Sequence, residues 1–151
     1  MLVVAIAAAA VAVAAVLQRR QRRATPTSTG YNVPDHVDRV DFEHPGTPWL
    51  VIVFTSATCE TCAGVWTKAR HLEAPGVVAV QEVEVSARRD LHSRYRINGV
   101  PATIVVDDVG LVRASFLGPV TATDLWATVA ELRQPGTLPP AACDSGEQRP
   151  A

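Results

Sequence analysis

The segment Trp49-Leu50-Val51-Ile52-Val53-Phe54 is apolar throughout, and shortly after it comes the Cys-x-x-Cys pair Cys59-Glu60-Thr61-Cys62. An unbroken apolar run of this kind suits a strand buried on both faces, so the chain must cover a sheet from two sides. Beyond the pair, Cys62, Val65, Trp66, Ala69 and Leu72 recur at helical spacing, which predicts a helix with the second cysteine on its buried side. Cys59 is then expected at the mouth, at the start of that helix, where unpaired N–H groups and the macrodipole favour a thiolate. The spacing lets Cys62 reach and attack a mixed disulfide formed at Cys59. Taken alone, the pair equally suits two small core residues or half of a zinc site.

A second motif lies further on, Gly99-Val100-Pro101 followed by Ala102 to Val106 and the turn Asp107-Asp108-Val109-Gly110. Gly118 and a helix-like segment from Thr121 to Leu132 complete the order. Together with the dithiol, this order resembles the thioredoxin family over Trp49 to Leu132. The resemblance implies an α/β, thioredoxin-like fold, a central mixed β-sheet flanked by helices, with a cis Pro101 packed beside the dithiol. Because Pro101 has no N–H, the neighbouring backbone of Val100 is expected to pair with an extended substrate peptide. Val100, Pro101 and Thr58 form the expected substrate-binding set, and Cys59 and Cys62 the catalytic pair. The family's proline also keeps metal from the thiolates, so neither a metal nor a dissociable cofactor is expected.

Departures from the family pattern shape the chemistry. Thr58 stands where thioredoxins have Trp, and Val53 where they have a buried Asp that moves a proton from the resolving thiol. Activation of Cys62 then requires another base, Glu84 or a water, or is slower. Between the cysteines, Glu60 disfavours the thiolate, which predicts a reducing dithiol; the plainer reading is a screened carboxylate that caps the helix.

Upstream, Leu2 to Leu17 contains only Leu, Val, Ile and Ala, and Arg19, Arg20, Arg22 and Arg23 follow at once. Residues 1–18 read as a short transmembrane anchor, since about 17 to 25 apolar residues cross a bilayer. A cleaved signal peptide with Ala12-Val13-Ala14 as its site is the rival, but the basic cluster lies on the wrong side. Residues 19–35 are the basic stop and a flexible linker. Arginines flanking a span stay in the cytoplasm, which places the following domain on the cytoplasmic face of the cell membrane. Many tethered relatives in the family face outward, so an extracytoplasmic domain is the alternative.

Residues 36–134 read as the thioredoxin-like domain. Val37 to Phe42 alternates and predicts a first strand. Val77 to Val85 predicts the strand after the dithiol helix, Arg88 to Tyr95 a short helix, and Asp107 to Gly110 the turn of a hairpin. Thr121 with Asp124 predicts an N-cap pair for a last helix over Thr123 to Leu132. Residues 135–151 read as a disordered tail. It carries Cys143, expected to be a free thiol. His36, His44, His71 and His92 lack ligand spacing and read as surface imidazoles, and Trp66 and Trp126 read as packing residues. A zinc site built from Cys59, Cys62, a histidine and Cys143 satisfies the count of four, and Pro101 argues against it.

A formal net charge of -1 gives no electrostatic case for a nucleic-acid partner. The expected function is reduction of protein disulfides by a tethered dithiol. Its partners are disulfide-containing proteins, a reductase or membrane electron relay that supplies electrons, and lipid around the N-terminal helix. The alternatives are a non-catalytic binding module with a structural disulfide, and an extracytoplasmic reductase of the cytochrome c maturation type.

Overall fold

The computed structural model describes residues 32–136. The expected anchor, its basic stop, most of the linker, Cys143 and nearly all of the tail lie outside these residues. Within them, no helix is long and apolar enough to cross a membrane.

The apolar run forms β1 (Trp49–Thr55), the centre of a four-stranded mixed sheet. The other strands are β2 (Val78–Glu84), β3 (Ala102–Val106) and β4 (Val112–Leu117), in the order β2-β1-β3-β4. β1 runs parallel to β2 and antiparallel to β3, and β3 pairs antiparallel with β4. The parallel pair requires a crossover. It is supplied by α1 (Cys62–Ala69) and the 3-10 turn Arg70–Leu72. A short helix, α2 (Arg89–Arg94), follows β2, and α3 (Ala122–Arg133) closes the chain.

Period-two alternation divides the sheet residues between two cores. On one face Leu50, Ile52, Phe54, Val83, Ala102 and Ile104 pack with Val37, Phe42, Leu91 and Tyr95. On the other, Val51, Val53, Val78 and Val105 pack under Val65 and Ala69 of α1 and under Leu125 and Val129 of α3. Both faces of β1 are therefore covered, and burying each of its Val, Leu, Ile and Phe side chains contributes about 1.5–3 kcal/mol. The α3 cap follows the sequence: Thr121 Oγ1 accepts the Asp124 N–H at 3.1 Å.

The expected first strand over Val37 to Phe42 does not form. Asp38 instead accepts the Val40 N–H at 3.2 Å and caps a 3-10 turn at Arg39–Asp41. The alternation has another cause, since the inward residue between Val37 and Phe42 is Arg39, only 7% exposed. Its guanidinium donates to the carbonyls of Asp107 (2.7 Å), Thr47 (2.8 Å) and His44 (3.2 Å). An isolated antiparallel bridge from His36 to Leu111 is the segment's one ladder contact with the sheet region among the described residues.

Candidate active site

Strand directions decide which loops meet. β1 ends at Thr55, its parallel partner β2 ends at Glu84 opposite it, and antiparallel β3 begins at Ala102 opposite Phe54. The segments that leave or enter the sheet there carry Cys59, Val85 to Arg88, and Val100-Pro101. Every residue of the expected site therefore lies at one end of the sheet.

Cys59 and Cys62 form a disulfide with their Cα atoms 5.4 Å apart. Cys62 is the first residue of α1 and is 3% exposed, as the helical spacing requires. Cys59 is half-buried and lies in the turn before the helix, where its N–H donates to Ser56 O at 3.0 Å. The Cys62 N–H donates back to Cys59 O at 3.2 Å, closing the turn. Thr61 precedes the helix without a side-chain cap, and its Oγ1 lies 3.7 Å from Cys59 Sγ. The inner sulfur is thus covered by protein, while the outer one belongs to an accessible loop.

Thr58 is exposed, and its Oγ1 is 3.0 Å from Ser56 Oγ, which keeps it within the turn. Glu60 is exposed and has no hydrogen bond or ion pair among the described residues. The Val100–Pro101 peptide is cis, as the resemblance implies. Pro101 is buried, and its carbonyl accepts the Gly118 N–H at 2.8 Å. Neither backbone polar group of Val100 has a partner among the described residues. That leaves the two polar groups of a bend open beside the end of β1.

Glu84 is not placed to act as a base. Its Oε2 accepts the N–H groups of Ser86 (2.7 Å) and Ala87 (3.0 Å), and its Oε1 accepts that of Ala57 (3.1 Å). Desolvation pushes its pKa up, but the bonds from Ala87, Ala57 and Ser86 together outweigh it and hold the carboxyl below its ordinary value. A carboxylate so occupied is a poor acceptor for a thiol proton. Its work is to hold the cysteine turn against the β2–α2 loop. The expectation above missed this clamp, and the available signal was an acid at a strand end followed by the turn residues Ser86-Ala87. A second link was missed too: Thr55 Oγ1 donates to Glu82 Oε1 at 2.8 Å.

The remaining candidates stand apart. Trp66 packs against the core under α1, and Trp126 is 44% exposed with its indole N–H donating to Lys68 O at 3.2 Å. His92 is buried rather than on the surface, its Nε2 2.9 Å from Val83 O and its ring edge-on to Phe54. No group of three His, Cys, Asp or Glu among the described residues is arranged to hold a metal ion.

No protein-family model matches the chain, and no curated protein does. Among solved structures, that of a malarial protein is similar, with a TM-score of 0.51 and 17% identity over 56% of this chain and 97% of that one. At such an identity the likeness is one of fold, and it supports the mixed sheet with flanking helices as an architecture that other chains adopt.

Proposed function

We propose that this chain is a thioredoxin-like, membrane-tethered reductase of protein disulfides. The observation that carries the reading is the pairing of an accessible Cys59 with a covered Cys62, at the sheet end where Val100 leaves its backbone groups unpaired. In the reaction, the Cys59 thiolate attacks one sulfur of the substrate disulfide, forming a mixed disulfide and expelling a thiolate that takes up a proton. Cys62, losing its proton, then attacks Cys59 Sγ and expels the second substrate thiolate. The substrate gains two electrons and two protons, and Cys59–Cys62 is left oxidised, the state seen in the structure. Reduction by another protein, a reductase or a membrane relay, completes the cycle.

With Val53 in the family's carboxylate position and Glu84 engaged by three N–H groups, the Cys62 proton passes to water. The same pair of facts favours the rival reading, a binding module with a static disulfide. Exchange of Cys62 for Ser separates the two. Cys62→Ser should accumulate mixed disulfides with target proteins through Cys59, and a variant that traps nothing overturns the enzyme reading. The run of arginines after the expected span supports a cytoplasmic domain. Strong activity from a C-terminal alkaline phosphatase fusion would overturn that placement.

A further inference from the structure

Beside α2 lies an open cleft of about 470 Å³, lined among others by Val85, Arg89, His92, Arg96, Ile97 and Asn98. Its size falls in the range of about 300–1,000 Å³ typical of binding clefts. Two of its walls continue into the dithiol end of the sheet. The Val85 N–H donates to Thr55 O at 3.0 Å, just before the cysteine turn. Ile97 and Asn98 lead directly into Gly99-Val100-Pro101.

Among the described residues, no acid pairs with the arginines that line this cleft. Of the arginines in this stretch, Arg88 pairs with Asp90 at 3.1 Å, and Arg94 with Asp41 at 3.2 Å and Asp38 at 3.7 Å. The side chains of Arg89 and Arg96 are exposed and have no ion pair or hydrogen bond among the described residues.

Arg96 also occupies a backbone position that its side chain does not favour. The Ile97 N–H donates to His92 O at 2.9 Å and the Arg96 N–H to Ser93 O at 3.2 Å, closing α2 in a Schellman arrangement with Arg96 at φ 53°. Glycine is the usual residue there because any Cβ is strained in the left-handed region. Glycine at 96 would relieve that strain, and arginine there places a guanidinium at the cleft.

We propose that the cleft binds an acidic segment of the disulfide partner, one whose Asp or Glu side chains flank the bond to be reduced. This rests on the thiol–disulfide reading above and names the substrate class. An extended chain pairing with the Val100 backbone runs on into the cleft, where Arg89 and Arg96 meet its carboxylates and Val85 and Ile97 its aliphatic stems. Because both guanidinium groups are exposed, the preference weakens as salt rises.

The test uses the reduced full-length chain and two disulfide-bridged peptides that differ only in Glu or Gln beside the cysteines. The Glu peptide should show a kcat/KM about tenfold higher at low salt. The double variant Arg89→Gln, Arg96→Gly should lose that preference while reducing the neutral 2-hydroxyethyl disulfide at the unaltered rate. Arg96→Gly relieves the left-handed position, so the fold is retained in the variant. Equal rates on the two peptides, or a preference that survives the double substitution, overturns the proposal. Binding of cysteine-free Glu and Gln peptides, followed by fluorescence anisotropy, reads the cleft without the dithiol. Tighter binding of the Glu peptide that the double variant loses supports the cleft even where no disulfide is reduced, and that pattern would locate the failure in the thiol reading. Equal binding of the two peptides, or displacement of the Glu peptide by an equal concentration of inorganic phosphate, overturns it.

Discussion

The Glu84 carboxylate accepts the Ala57 N–H at 3.1 Å across the end of the sheet, so one side chain of β2 holds the turn that presents Cys59. The same carboxylate binds Ser86 and Ala87, and the two loops that border the site share a single anionic anchor.

Glu84→Gln is expected to lower the thermal midpoint at pH 7, since the amide offers one acceptor oxygen where the carboxylate offers two. The sign of the pH effect follows from the depressed carboxyl. A group with a lowered folded pKa contributes stability above its unfolded value, about 4.3, and loses it as pH falls through the folded value. The gap between wild type and variant should therefore be widest near neutrality and should shrink below about pH 4. Thermal melts of both proteins at pH 7 and pH 3 check this, and a constant gap would refute it.

Gly110 has φ 87°, and a Cβ built on it would lie 2.1 Å from the Val37 carbonyl oxygen. The oxygen is backbone and a Cβ is fixed rigidly to the Gly110 backbone, and the Val37 N–H donates to Gly110 O at 2.9 Å, so neither side can yield without losing that bond. Gly110→Ala should destabilise the fold by about 2–4 kcal/mol in urea titration.

Tyr95 ties α2 to the 3-10 turn: its hydroxyl donates to Asp41 and accepts the Asp38 N–H at 3.0 Å. Burial, with the bond to Asp41, pushes its pKa up to about 12. Tyr95→Phe should cost about 1–2 kcal/mol at pH 7, because it leaves the Asp38 N–H and the Asp41 carboxylate without that partner. A raised folded pKa gives stability that is complete below the unfolded value, about 10, and is lost as pH rises through the folded value. Wild type and variant should converge between pH 10 and about 12, which urea midpoints over that interval will measure.

On the enzyme reading, Glu60 keeps the dithiol reducing by opposing a thiolate at Cys59. Glu60→Lys should lower the Cys59 pKa and raise the reduction potential, by on the order of 20–40 mV for so exposed a charge. Equilibration of both proteins with a defined thiol–disulfide buffer measures the difference. An unchanged potential would leave Glu60 as a solvated surface residue.

Much of this arrangement was legible in the residues because local and global signals agree there. β1 carries the strongest apolar run, α1 the clearest helical stripe, and Thr121 with Asp124 a cap readable from two side chains. Val37 to Phe42 misled because alternating burial is also what a buried arginine produces when it turns inward to satisfy carbonyls. The role of Glu84 was hidden for a related reason. Its partners are backbone N–H groups, which every sequence offers and none marks. The cleft beside α2 was equally invisible, since neither Arg89 nor Arg96 differs in sequence from the paired Arg88 and Arg94.

Arg39 lies at the opposite end of the sheet from the cysteines, and it binds the carbonyls of the segment before β1 and of the residue after β3. Burial holds its pKa below the ordinary value, and Asp107 and Asp108 offset that only in part. Those three carbonyls lose their donor together if the guanidinium leaves, so that end resists partial opening and gives way as a unit. Arg39→Met should therefore hasten exchange of the amide hydrogens at that end together, which hydrogen-exchange measurements on both proteins would show. Arg39 acts there like a keystone, joining the chain before β1 to the chain after β3.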